Sequence, residues 1–186
     1  MLSIQNIKLR GILRTDLLMI LEWRNQKKVR KMMKDDHIIS NNEHRMWFSS
    51  VENSSDCAWF VVQYLEKDVG VLGITNIDNR YNSCSWSMYL SPFMISSGMG
   101  VLIEICAIDY MLSHYGIKKI WGEVLSTNKG LLSLHKLCGF KVDKIDKNKL
   151  KRQGKFIDIV RISMHSLGWD KRREDCYWGW GYHKVW

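Results

Sequence analysis

The sequence predicts an α/β (α+β) chain in which an antiparallel meander is followed by helices packed across a sheet. Three observations predict it. Residues 57–65, 69–77 and 84–90 are strand-like runs in direct succession, joined by turn formers, which is the order of an antiparallel meander. A small-residue loop, Ser96-Ser97-Gly98-Met99-Gly100, then opens onto residues 101–115, which are apolar almost all round, as a helix buried across a sheet is. Beyond it a strand (119–125), a helix ending in Leu134-His135-Lys136-Leu137-Cys138-Gly139-Phe140, and two further strands (141–145 and 156–164) continue the alternation.

The elements follow in order. Thr15 stands where it can cap a helix over residues 16–24, and Arg24, four residues after Ile20 and three after Leu21, falls on that helix's apolar stripe. An arginine aimed inward needs an anion or several acceptors, so it reads either as a structural ion pair or as a ligand contact. Ser40-Asn41-Asn42-Glu43 is a capping-box pattern that starts the next helix. His44, Trp47, Phe48 and Val51 share one face of it, which leaves His44 at the core edge, either as a packed histidine or as a ligand contact. Of the three meander strands, the second carries Gly70 and Gly73, and residues 78–83 form the turn before the third. Pro92, the only proline, separates that strand from the glycine loop. Residues 147–155 read as a basic loop.

Composition bounds the function. The 186 residues suit one domain over 1–167, with a separate tail over 168–186. That tail holds four of the nine tryptophans, so it is expected to pack on its own domain or on a second subunit of a homodimer. A content of 46% hydrophobic and 25% charged residues reads as soluble. The start of the chain lacks a signal-peptide pattern, and Glu104 and Asp109 interrupt the longest apolar run, so no membrane partner is expected. Five cysteines without a CxxC pair argue against a zinc site or a disulfide framework and fit the cytoplasm. A net charge of +9 favours anionic partners. The basic residues are not gathered on one helix or tail, so a phosphate-ester substrate explains the charge as well as a nucleic acid does.

Gly98-x-Gly100 ahead of a helix is either a plain tight turn or a backbone cradle for a pyrophosphate at the helix start. Together with Asn128 and Leu134-His135-x-x-Cys138-Gly139-Phe140, it resembles the coenzyme A signature of the GNAT acetyltransferases, over roughly residues 3–165. Glu22-Trp23-Arg24-Asn25, Ile39-Ser40 and His44 near Trp47 resemble the family's amino-sugar branch. The resemblance implies the GNAT fold, a mixed, mostly antiparallel central sheet of about seven strands flanked on both faces by about four helices. It also implies direct acetyl transfer from acetyl-CoA, without a metal, to the 4-amino group of a UDP-linked 4-amino-4,6-dideoxy sugar, as in pseudaminic acid and flagellar glycan synthesis. Ser96, Ser97, Gly98, Met99, Gly100 and Asn128 would hold the coenzyme. Amides around Met88, Tyr89 and Leu90 would polarise the acyl carbonyl. Glu123 would act as base through a water, although its alternation with Ile120 and Val124 leaves its face open. Arg24, Met33, His44 and Tyr89 would face the acceptor. A protein N-terminal or ribosomal-protein acetyltransferase is the enzyme rival, and a nucleic-acid-binding domain the non-enzyme one.

Two positions depart from the family. Ile95 stands where a glutamine or arginine is usual, which shifts phosphate binding onto backbone amides and the two serines. His135 stands where a tyrosine usually protonates the leaving thiolate, and it shares the inward face of Leu131, Leu134 and Cys138. It reads either as a core histidine or as that acid. A thiol has a pKa of about 8.5, tyrosine about 10 and histidine about 6.5. An imidazolium is therefore the stronger acid but only roughly a quarter populated at pH 7. Histidine in this role predicts a rate that falls at higher pH.

Overall fold

The computed structural model describes residues 2–94 and 98–179, the last two by backbone alone. Seven strands form one sheet: β1 (Ile7–Gly11), β2 (Ala58–Tyr64), β3 (Lys67–Asp78), β4 (Ser83–Leu90), β5 (Lys119–Leu125), β6 (Lys141–Arg152) and β7 (Lys155–His165), in the spatial order β1-β2-β3-β4-β5-β7-β6. Neighbours are antiparallel except β4 and β5, which are parallel. A parallel pair needs a crossover, and α4 (Met99–Tyr115) supplies it.

That parallel pair is short. Only Ser83, Cys84 and Ser85 pair with Lys119, Ile120 and Trp121. Beyond them β4 stays with β3 as far as Leu90, opposite Gly70, while β5 stays with β7 as far as Leu125, opposite Ile159. The sheet is thus two antiparallel halves that join at one end and part at the other.

Helices cover both faces. α4, α5 (Lys129–Leu137) and α6 (Trp169–Gly179) lie on one, and α1 (Leu17–Asn25), α2 (Lys27–Arg30) and α3 (Asn41–Val51) on the other. Strand pleating assigns alternate residues to the two layers. Leu72, Ile74 and Ile120 are buried in the larger core with Leu102, Ile105, Ile108 and Met111 of α4. Val61 and Val71 turn the other way onto Ile20 and Trp23 of α1. The Ser40 capping box forms in both directions: the Ser40 hydroxyl accepts from the Glu43 amide (3.2 Å), and the Glu43 carboxylate accepts from the Ser40 amide (2.7 Å).

Two local expectations change, and two features go beyond them. Thr15 does not cap α1; a short 3-10 turn precedes the helix, and the Asp16 carboxylate accepts from the Leu13 amide (2.8 Å) and from Arg10. Residues 147–155 are not a loop. β6 continues through them, and Gln153 (φ +47°) and Gly154 (φ +77°) make a two-residue turn into β7, with the register shifting between Asp146 and Leu150. β1 and α2 carried no distinct sequence signal, being a five-residue edge strand and a single helical turn. Finally, the start of the tail is helical. On α6 the Trp169 indole donates to Asp109 of α4 (2.8 Å), Arg173 pairs with the same carboxylate (2.7 Å), and Cys176 is buried. The side chain of Trp178, together with Trp180 and Trp186, lies outside the described residues.

Candidate active site

The parting of β4 and β5 opens a cavity of about 320 Å³ between them, α2, the start of α4, and α5. Met33, Met88, Tyr89, Leu90, Gly100, Glu123, Asn128 and His135 all line it. Past Ser85, every other residue of β4 turns its backbone amide and carbonyl toward the gap rather than toward a β5 partner. A strand edge of that kind can receive an extended chain or polarise a carbonyl.

At the cavity's end, α4 begins after Gly98, whose φ of +77° is a left-handed conformation that favours glycine. Gly100 is different: a Cβ there would meet only Leu134, at 3.7 Å, so its missing side chain leaves room in the cavity rather than relieving a clash. The positive end of the α4 dipole faces the same opening. Met99 turns the other way and is fully buried in the core. Asn128 is the N-cap of α5, its side-chain oxygen accepting from the Leu131 amide (3.3 Å). Ser96 and Ser97, with Ile95, lie outside the described residues.

Two ionisable groups enter the cavity from opposite sides. Glu123 lies on the face of β5 opposite Ile120 and Val124, partly covered, 2.5 Å from Lys34 and 3.5 Å from Arg161. His135 is 5% exposed on α5; its Nδ1 lies 2.8 Å from Glu104, and its ring packs edge-on against Trp86.

A second cavity, of about 330 Å³, lies on the other face of the sheet, lined by Arg24, His37, Ile39, Glu43, His44, Trp47, Trp59 and Tyr89. Tyr89 borders both cavities: it sits on the α1 face of β4, whereas Met88 and Leu90 sit on the α4 face. Arg24 Nη1, His44 Nε2 and Trp59 Nε1 are buried and have no hydrogen-bond partner among the described residues, and all three belong to this cavity's lining. Buried polar atoms are ordinarily paired, so three orphans around one hollow leave hydrogen-bonding groups open to whatever fills it. Burial lowers the Arg24 pKa, against the pull of Tyr89 and Asp35, yet a guanidinium stays charged. Burial also pulls His44 below its ordinary value, and it keeps the Tyr89 phenol protonated. His44 bonds the Leu17 carbonyl, which leaves Nε2 as the ring nitrogen without a partner.

Sequence reasoning missed four contributors. Trp59 lies against Gly73, where a Cβ would stand 2.5 Å from its ring, and it meets Trp47 edge-on at 4.9 Å. Lys34 and Arg152 act together: Arg152 donates to the carbonyls of Lys31 (3.0 Å), Lys34 (2.7 Å) and Met33, which pins the segment that brings Lys34 to Glu123. Glu104 is fully buried in α4 beneath His135. The signals in the sequence were a glycine opposite a tryptophan strand and a lone acid in an apolar helix.

Among the described residues no cluster of three or more His, Cys, Asp or Glu side chains could hold a metal ion, and no helix is long and apolar enough to cross a membrane. All five cysteines are free thiols.

The fold is similar to that of spermidine N-acetyltransferase from Vibrio cholerae in complex with CoA and spermine: TM-score 0.83 at 19% identity, covering 89% of this chain and 98% of that one. A dodecameric structure of spermidine N-acetyltransferase from the same organism matches with TM-score 0.77 at 20% identity, over 90% and 98% of the two chains. No curated protein matches the sequence. The family model described as the acetyltransferase (GNAT) domain matches residues 9–160, most of the chain, including both strands that part. The chain belongs to the GNAT acetyltransferase family and is an acetyl-CoA-dependent N-acetyltransferase.

Proposed function

We propose that this enzyme acetylates the 4-amino group of a UDP-linked 4-amino-4,6-dideoxy sugar, a step in the synthesis of pseudaminic acid or a related surface glycan. The observation that carries this reading is the second cavity, whose unpaired Arg24 and Trp59 donors suit an acceptor with anionic oxygens. The net charge of +9 agrees with an anionic nucleotide sugar. The aromatic walls of Trp47, Trp59 and Tyr89 suit a uracil or a deoxysugar face.

In this reading the start of α4 and Gly98, with Ser96 and Ser97, hold the coenzyme's pyrophosphate, and Gly100 and Asn128 border it. Amides of residues 88–90 polarise the acyl carbonyl at the parted edge of β4. Arg24 grips the diphosphate, while Met33, His44 and Tyr89 orient the sugar. Glu123 takes the amine's proton through a water, and Lys34 must swing from it first, since an ion-paired carboxylate is a poor base. His135 protonates the departing thiolate.

The structural neighbours named above act on spermidine, so a polyamine is the second reading for the acceptor. Polyamines are polycations and need carboxylates. The acids lining the two cavities are Glu123, paired with Lys34, and Glu43, bonded to the Ser40 amide and His37. That balance favours the anionic acceptor. Assembly into a homodimer or larger oligomer is also proposed, and light scattering of the purified chain reads it directly. For the acceptor, incubation with acetyl-CoA and a UDP-4-amino-4,6-dideoxy sugar, with spermidine and peptides as parallel acceptors, is followed by mass spectrometry. A 42-Da gain (about one acetyl, by the chemistry of direct transfer) on the nucleotide sugar is expected; acetylation of spermidine or peptides alone would overturn the assignment.

A further inference from the structure

α4 is apolar along its buried face except at Glu104, which is fully buried in the helix's second turn. A carboxylate there has lost its hydration and persists only with a partner. That partner is His135, whose Nδ1 lies 2.8 Å from Glu104 Oε1, while Oε2 has no hydrogen-bond partner among the described residues. Trp86 edge-on (5.5 Å between centroids) and Phe140 (5.1 Å) hold the imidazole against the acid. With Nδ1 committed to Glu104, the ring's other nitrogen, Nε2, is the one left for chemistry at the cavity His135 lines.

We propose that Glu104 is a positioning residue for acetyl transfer: it holds His135 with a proton on Nδ1 and stabilises the imidazolium, so that Nε2–H is the group that protonates the leaving thiolate. The inference rests on the reading of His135 as the acid. As the tetrahedral carbon collapses, the C–S bond breaks with its electron pair on sulfur. The Nε2 proton passes to that sulfur and gives the free thiol of coenzyme A. The imidazole is left neutral, still donating Nδ1–H to Glu104, and a solvent proton restores it.

The ionisable groups near the ring are Glu104 from α4, Cys138 just past α5, Cys176 and Arg172 from α6, Glu123 and Lys28 on the cavity wall, and Lys129, Lys136, Lys141, Lys147 and Asp158 around a further hollow that His135 also borders. The Cys176 contact, then burial, then the Glu104 charge raise the Cys138 pKa far above its ordinary value, so that thiol carries no charge. Glu123 is engaged by Lys34 and Arg161. Glu104 is therefore the anion in direct contact with the ring, the arrangement by which a carboxylate sets a histidine's tautomer and basicity.

The test compares E104Q and H135A across pH. Glutamine keeps the shape and an acceptor oxygen but removes the charge. For E104Q the account expects kcat to fall about tenfold at pH 8, with the KM for acetyl-CoA unchanged and a smaller loss at pH 6, because the charge that favours the protonated ring is gone. An E104Q profile that overlays the wild type, alongside an impaired H135A, would overturn the role of Glu104 alone. Unchanged turnover in H135A would overturn the acid itself and the inference with it. If E104Q does not fold, ring 15N spectra of the wild-type enzyme decide. Nδ1 of His135 should stay protonated through the titration while Nε2 loses its proton, and the reverse assignment overturns the proposal.

Discussion

Buried hydrogen-bonding atoms without partners are costly, and Arg24, His44 and Trp59 bring three of them to one small hollow. The cost has a measurable pH signature at His44. Burial holds its folded-state pKa below the ordinary 6.5, so between the two values the unfolded chain binds a proton that the folded chain refuses. Stability therefore falls as pH drops through about 6.5. Thermal melts between pH 5 and 8 should show that slope, and His44→Gln should flatten it. Gly73 makes a second residue-level prediction, because a methyl there meets the Trp59 ring at 2.5 Å. Gly73→Ala should displace the indole and raise the KM for the acceptor several-fold, by roughly 1 kcal/mol of lost contact, while the KM for acetyl-CoA stays put. Steady-state kinetics with each substrate varied in turn checks this. Helical spacing alone put Arg24 and His44 on inward faces. Trp59 was not legible as a site residue, because a tryptophan in an apolar strand is equally good core; only the glycine across from it, on a neighbouring strand, gives it a bed. Glu104 was read merely as a break in an apolar run, since its partner lies 31 positions away.

At the scale of elements, the coenzyme-side cavity exists because β4 and β5 pair at only three positions before they part. Each strand, the crossover helix α4 and α5 were legible, for each carries a run of apolar or β-branched residues bounded by turn formers. The gap was not legible from spacing, because nothing in either strand says where a parallel neighbour lets go; the family resemblance supplied only the expectation that amides around residues 88–90 face the acyl carbonyl. The outer part of the β6–β7 hairpin, residues 147–155, was misread as a loop for a definite reason. Its lysines are solvent-facing on an edge strand, so it lacks the apolar alternation that marks a half-buried strand. This hairpin also has a task at the site, since Arg152 near its tip holds the carbonyls of Lys31, Met33 and Lys34. Arg152→Ala should free that segment, seen as faster amide exchange over residues 31–36. Acceptor kcat/KM should fall about ten- to a hundredfold, because misplacing positioning groups by an ångström has that effect. Equal exchange in variant and wild type would show that the segment is held by something else.

For the whole molecule, the sheet is a partition. Its α4 face and parted edge carry the groups suited to the coenzyme, and its α1 face carries the cationic, aromatic hollow, with Tyr89 bordering both cavities. Family membership accounts for the sheet and its covering helices, a fold that recurs in proteins only 19–20% identical to this chain. The proposed acceptor rests on the hollow of the α1 face, and the overall charge of +9 agrees with an anionic one. The central claim, that the acceptor is held by a UDP group on Arg24, is tested most directly by calorimetric titration of UDP into the wild-type protein and into Arg24→Met. The account predicts saturable binding to the wild type and at least about tenfold weaker binding to the variant, the loss of a charge-assisted contact. Absence of UDP binding to a folded wild-type protein that binds spermidine would contradict it.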